Sequence, residues 1–191
     1  MLGFVVRFER QADLLVTERG ILAIDGMSTI FDITGRIAVV LGGSGALGAA
    51  IARAFAEAGA HLVVTGSTED STARTVREIS GEAREVRGVT LNTLDRNAVR
   101  DLAADLGPID ILVNCVGGNR DGATTAPDRA FFDLELSDLR DVMALNLMAG
   151  AILPCQEFGR QMVNNPRGGS IINISSMAAA RPLTRVVGYG A

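Results

Sequence analysis

The sequence predicts an α/β fold, a doubly wound parallel sheet with helices on both faces, and three observations carry that expectation. Short continuous apolar runs such as IAVVL (Ile37 to Leu41) and IDILVNCVGG are bounded by turn residues, as for strands covered on both sides. Stretches between them place apolar residues at helical spacing, as Leu47, Ile51 and Phe55 do in ALGAAIARAFAEAGA. From Arg36 onward the two patterns alternate, which implies right-handed crossovers within one parallel sheet.

Taken in order, IAVVL is the first strand, and its following helix closes at Gly59. HLVVTG reads as the second strand, and Glu69-Asp70 as the acidic start of the next helix rather than a metal site. REVRGVTL is the third strand, followed by DRNAVRDLAADLG with Asp95 placed to cap it. After the fourth strand, Ser137 is expected to cap a long helix through Met162 that kinks at Pro154, and GGSIINISS is the fifth and last strand.

Composition narrows the function. The chain of 191 residues is 48% hydrophobic and 21% charged, enough for one sizeable core. Its net charge of -4 and single tyrosine give no footprint for nucleic acid. The longest uncharged runs, Ile37 to Ala52 and Val142 to Gln156, are too short and too interrupted for a membrane span, and no transmembrane helix is expected. Arg7, Glu9 and Arg10 break any signal-peptide core, so the expected location is the cytoplasm. Cys115 and Cys155 lack metal-ligand spacing and read as free thiols, and His61 reads as a surface or packing residue; no metal site is expected.

LGGSGALG joins the first strand to its helix. A dinucleotide pyrophosphate needs a tight turn, close backbone approach and the positive end of a helix, which Gly42, Gly45 and Gly48 can supply with Ser44 and Leu47. An NTPase loop would need a lysine followed by Ser or Thr, and Ala46-Leu47-Gly48 has neither. A methyltransferase would usually close the second strand with an acid, where Gly66-Ser67-Thr68 stands. The sheet therefore reads as Rossmann-type, with NAD or NADP as cofactor. No acid stands there to repel a 2′-phosphate and no arginine to welcome it; Ser67 and Thr68 suit either form, and the reading leans toward NADP.

These residues resemble the short-chain dehydrogenases/reductases from about Phe31 to Ala191. Gly42 and Gly48 match that family's glycine pattern, while Leu41 and Ala46 depart from it. Asn92, with Thr93, stands where the family places an acid or amide beside the adenine, and Asn114 to Gly117 (NCVG) resembles its motif after strand four, implying cofactor contacts by Asn114, Val116 and Gly117. Asn146 resembles the helix asparagine of its catalytic tetrad. The family's catalytic serine precedes its tyrosine by thirteen residues, as Ser176 precedes Tyr189, leaving Ser175 as a packing neighbour. NCVGGNRDGATT and NISSMAAARPLTRVVGY resemble in particular the sugar-acid reductases that interconvert fructuronate and mannonate. Under that likeness Asn119 and Arg120 face the substrate, Arg120 pairing with its carboxylate.

The resemblance implies hydride transfer between the nicotinamide and a keto or hydroxy group, Ser176 holding the oxygen and Tyr189 exchanging its proton. It also implies a homo-oligomer, dimer or tetramer, with the long helix and its methionines in the interface. A tyrosine is a poor base at neutral pH unless a cation stabilises its phenolate, and the family's lysine would fall four residues past Tyr189, beyond Ala191. Residues 1–26 read as a leader or mis-assigned start, weakly structured, and 27–191 as a nucleotide-binding domain incomplete at its C-terminus. The expectation for this chain alone is inactivity, a fifth strand with an open edge and a tendency to aggregate. The alternative reading is a non-catalytic nucleotide-binding fragment or relic of the same fold.

Overall fold

The computed structural model describes residues 3–8, 32–80, 86–181 and 183–190. Its strands are β1 (Gly3–Phe8), β2 (Ile37–Leu41), β3 (His61–Gly66), β4 (Val86–Thr90), β5 (Ile111–Asn114) and β6 (Gly169–Ile174). They form one sheet in the order β1-β6-β5-β2-β3-β4, with β2 to β6 parallel. The expected parallel sheet is thus present. Its expected open edge is not, because β1 lies antiparallel along β6 from Gly3 opposite Ile174 to Phe8 opposite Gly169. Within the supposed weak leader, residues 3–8 therefore form a strand, a long-range pairing that local patterning does not announce; the remainder of the leader lies outside the described residues.

The helices are α1 (Ala46–Glu57), α2 (Glu69–Ile79), α3 (Arg96–Leu106), the long α4 (Leu136–Val163) and the short α5 (Val187–Gly190). Asp95 caps α3 as its position predicts, its carboxylate accepting from the N–H groups of Asn97 (2.9 Å) and Ala98 (3.2 Å). Thr68 caps α2 and Gly59 takes the left-handed φ of +83° after α1. Ser137 does not cap α4, which begins at Leu136 after an extended Glu135. The fully buried residues of α1 are Gly48, Ala52 and Ala56, whose small side chains let the helix approach the sheet closely; of the Leu47–Ile51–Phe55 stripe, Ile51 and Phe55 pack partly buried against the same core and Leu47 is exposed.

Strand alternation divides the core. Val39 and Leu41 face one side with Leu112, Ile171, Phe158 and Met162, under α3 and α4. Ala38 and Val40 face the other with Val64, Val113, Ala52 and Ala56, under α1 and α2. By length and composition α4 could cross a bilayer, with 28 residues and a mean hydropathy of 1.2 in its most apolar window, which the count of uncharged runs did not foresee. Here its Phe158 and Met162 are fully buried against the sheet.

Opposite ends of the sheet are held differently. At the starts of the strands, Asp110 accepts from Ile37 N (2.9 Å) and from the Arg167 guanidinium, tying β2, β5 and β6 together. At their C-terminal ends, β2 leads outward to β3 and β4 while β5 leads to β6 on the other side. That reversal of strand order leaves a crevice.

Candidate active site

A cleft of about 600 Å³ occupies the crevice. It brings together Gly42, Gly45, Leu47 and Gly48 of the glycine turn, Val116 and Gly117 after β5, Asn146 of α4, and Ser176 and Tyr189.

The turn after β2 works through its backbone. Gly42 adopts a left-handed φ of +74°, and a Cβ there would come within 2.7 Å of the Cys115 carbonyl oxygen. Its N–H donates to the buried Thr65 hydroxyl at 3.2 Å, and a side chain at Gly48 would collide with the Gly42 carbonyl. The helix α1 then starts with no side-chain cap and no acid in its first turn. Its first N–H groups are open toward the cleft, and its dipole favours negative charge there. A Cβ on Gly45 would meet nothing nearer than the Gly42 oxygen at 3.4 Å, leaving room above the turn. These features fit the pyrophosphate of a nicotinamide dinucleotide.

Asn146 clasps the loop after β5. Its amide oxygen accepts from Gly118 N at 2.9 Å, while its nitrogen donates to the carbonyls of Gly118 (2.7 Å) and Val142 (2.8 Å). Val142 O is the acceptor that a regular α-turn would give to Asn146's own N–H, and α4 widens to a π segment over Ala144–Ile152. The expected disturbance of the helix thus precedes Pro154. A Cβ on Gly117 would lie 2.6 Å from the Asn146 oxygen, and one on Gly150 the same distance from Val116 O.

Ser176 lies just beyond β6. Its Oγ accepts from Ala178 N at 3.2 Å, capping the 3-10 turn Met177–Ala179 and leaving the hydroxyl proton free to be donated. Tyr189 sits in α5, whose Gly188 packs toward Leu139 and Val142 of α4.

Other expected residues stand apart from the cleft lining. The side chain of Asn114 does not reach it. It is 1% exposed and donates to Asn173 Oδ1 at 2.7 Å, its own carbonyl oxygen having no partner among the described residues. Strand parity turns it to the α4 face of the sheet, where its amide also meets the Cys155 thiol at 3.5 Å. Ser44, with its backbone N–H bonded to Thr65 O at 3.2 Å, and exposed Ser67 lie farther along the strand ends. Asn92 accepts from Leu94 N at 3.1 Å, and Thr93 is buried. Asn119 donates to Thr124 Oγ1 at 2.6 Å, and the Arg120 guanidinium lies 4.0 Å from the Asp141 carboxylate.

Sequence reasoning passed over Cys115 and Asn173, which also line the cleft. Their signal was adjacency, one within NCVG and the other within NISS. Both cysteines are free, and burial pushes the thiol pKa of each up, opposed at Cys155 by hydrogen bonds with Asn173 and Asn114.

Comparison with known proteins places these features among oxidoreductases. A family described as short chain dehydrogenase matches residues 36–191. An uncharacterised oxidoreductase of Bacillus subtilis, UxuB, is 32% identical over 84% of this chain and 61% of its own length. The 2-dehydro-3-deoxy-D-gluconate 5-dehydrogenase of Formosa agariphila is 30% identical over 85% of this chain and 60% of its own. A crystal structure of a candidate D-mannonate oxidoreductase from Haemophilus influenza with bound NAD superposes with a TM-score of 0.75 at 27% identity, covering 86% of this chain and 63% of that one. The chain therefore spans about three fifths of the length of these relatives.

Proposed function

This chain belongs to the short-chain dehydrogenase family, and from that premise we propose that it contributes the nucleotide-binding and proton-transfer machinery of a dehydrogenase acting on a keto- or hydroxy-sugar acid of the fructuronate and mannonate kind. The observation that carries the reading is the convergence of the glycine turn, Asn146, Ser176 and Tyr189 on one cleft. Sugar-acid chemistry in the names of two relatives supports the substrate class.

Gly42, Gly45 and the open amides of α1 would hold the pyrophosphate, with Val116 and Gly117 lining the way inward. Bound there, a nicotinamide cofactor supplies the hydride of the redox step. Ser176 donates its free hydroxyl proton to the substrate oxygen and orients it. Tyr189 gives that oxygen a proton in reduction and takes it back in oxidation. Asn146 holds Gly118, and through it the loop that walls the cleft.

At the adenosine end, Thr68 is used as a cap and Glu69 and Asp70 follow directly. Two acids there disfavour an added phosphate, so this reading now takes NAD over NADP. The NAD in the D-mannonate oxidoreductase candidate agrees with it. Oligomerisation through α4 would cover Met143 and Met148, each about half exposed.

The test is to titrate the purified chain with NADH and NADPH and to follow reduction of D-fructuronate. The reading expects NADH to bind more tightly, and turnover by these 191 residues alone to be very slow, since the lysine the family places after its tyrosine is not among them. No nucleotide binding would overturn the dehydrogenase reading; binding with ordinary turnover would overturn only the role given to the lysine.

A further inference from the structure

Tyr189 lines the cleft from a helix of only four residues, α5. A helix that short does not hold itself, so its place must come from contacts outside it. One is visible on its side: a Cβ on Gly188 would lie 3.1 Å from a Leu139 methyl, so α5 leans on α4. The other stands just before it. Among the described residues Arg185 is the one non-glycine with a left-handed backbone, φ +76°, a conformation that persists where surrounding contacts impose it. Here they are reciprocal: Thr125 N donates to Arg185 O at 2.9 Å, and Arg185 Nε donates to Thr125 O at 2.7 Å.

Neither residue lines the cleft and Arg185 is exposed, but the backbone on each side of the clasp leads to the site. The loop that carries Thr125 leaves the cleft wall at Gly118, where Asn146 grips it, and is braced by Asn119 on Thr124 Oγ1 (2.6 Å) and by Arg129 Nε on Thr124 O (3.0 Å). Past Arg185, the carbonyl of Val186 accepts from Tyr189 N (3.2 Å) and Gly190 N (3.1 Å). A hydrogen-bonded path therefore runs from the middle of α4, through the loop after β5, to the turn that presents Tyr189.

Resting on the reading of Tyr189 as the proton-transfer residue, we propose that Arg185 is its positioning residue. The clasp on Thr125, a charge-assisted bond at Nε, fixes where α5 begins and so holds the phenol in the cleft.

Tyr189 is the one tyrosine of the chain and there is no tryptophan, so the tyrosine band in near-ultraviolet circular dichroism reports this side chain alone. The band is measured in the wild type, R185G, R185N and R181Q, beside far-ultraviolet spectra and urea midpoints. Glycine and asparagine both accept a left-handed backbone, so the two variants remove the Nε bond without imposing strain, and R185N remains informative if R185G folds poorly. R181Q removes an exposed arginine whose guanidinium has no hydrogen bond among the described residues, and should keep the wild-type band. In R185G and R185N the band should be largely lost with the far-ultraviolet spectrum intact, and acetylation of the phenol by N-acetylimidazole should speed up severalfold. A wild type without the band, a band that persists in both folded variants, or an equal loss in R181Q overturns the positioning role; so does loss of far-ultraviolet structure in both variants, which would make Arg185 a residue of global stability. Saturating NADH should slow acetylation of Tyr189 in the wild type. No protection would overturn the proton-transfer reading, and the catalytic purpose of the clasp with it, even where the spectra show that the clasp orders the side chain.

Discussion

Asp110 receives both arms of the Arg167 guanidinium, Nε on Oδ1 at 2.8 Å and Nη2 on Oδ2 at 2.7 Å, at the end of the sheet away from the cleft. The carboxylate is 5% exposed and also accepts from Ile37 N and the Asn165 amide. One side chain thus locks the starts of β2, β5 and β6, whose far ends carry the candidate site.

Stability should consequently depend on acid in a defined window. Burial alone would raise the Asp110 pKa, but the Arg167 fork, the Ile37 N–H and Asn165 outweigh it and hold the pKa at about 2. An unfolded aspartate titrates near 3.9, so the folded state binds this proton less tightly than the unfolded one. The stabilisation is complete above about pH 4 and is lost as pH falls through about 2, on the order of 2 kcal/mol. Urea midpoints measured from pH 6 down to 2 should fall more steeply for the wild type than for D110N. Parallel curves would mean that the clamp contributes nothing.

Two glycines with nearly the same φ should respond differently to alanine. Gly35 (φ +68°) has nothing within 4 Å of a built Cβ, whereas Gly42 (φ +74°) has the Cys115 carbonyl at 2.7 Å. G35A should lose about 1 kcal/mol from backbone strain alone. G42A adds a backbone collision, and should lose roughly 2–4 kcal/mol together with most NADH affinity. Equal losses in thermal melts would show that the turn after β2 and the end of β5 are not in close contact.

Much of this arrangement was legible in the sequence because local chemistry decides it. The short run Ile37–Leu41, bounded by turn residues, reads as a strand covered on both faces, and Asp95 and Gly59 mark helix ends by rules that act within one turn. What escaped depends on partners distant in the chain. The register of β5 on β6 brings Asn114 and Asn173 side by side from segments 59 residues apart, and only Asn173 lines the cleft. The Thr65 hydroxyl serves Gly42 from another strand, and β1 finds β6 across some 160 residues. The π segment arises where the Asn146 side chain competes for the Val142 carbonyl, a contest that helical spacing does not reveal.

That competition makes Asn146 a discriminating position. Asn146→Ala leaves both polar groups of Gly118 without their partner, an expected loss of about 1–3 kcal/mol. Asn146→Asp keeps an acceptor for Gly118 N but sets a carboxylate oxygen against the carbonyls of Gly118 and Val142, which now receive the amide nitrogen. The aspartate variant should therefore melt below the alanine variant at neutral pH and approach it in acid, when the carboxyl can donate. An aspartate variant as stable as the wild type at pH 7 would contradict the clasp.

Cys115 offers a chemical probe of the cleft without any assay of turnover. It lines the cleft between the glycine turn and Val116, and burial pushes its thiol above the usual range, so at neutral pH it is protonated and weakly nucleophilic. Alkylation by iodoacetamide at pH 7 should be about tenfold or more slower than for an exposed thiol, and should rise with pH as the thiolate forms. Cys155 sits on the other face of the sheet, against the Asn114 and Asn173 amides, and does not line the cleft. Saturating NADH should therefore slow labelling of Cys115 and leave that of Cys155 nearly unchanged, as read by peptide mass spectrometry. Equal protection of both thiols would point to general stiffening of the fold, and no protection of Cys115 would place the nucleotide elsewhere.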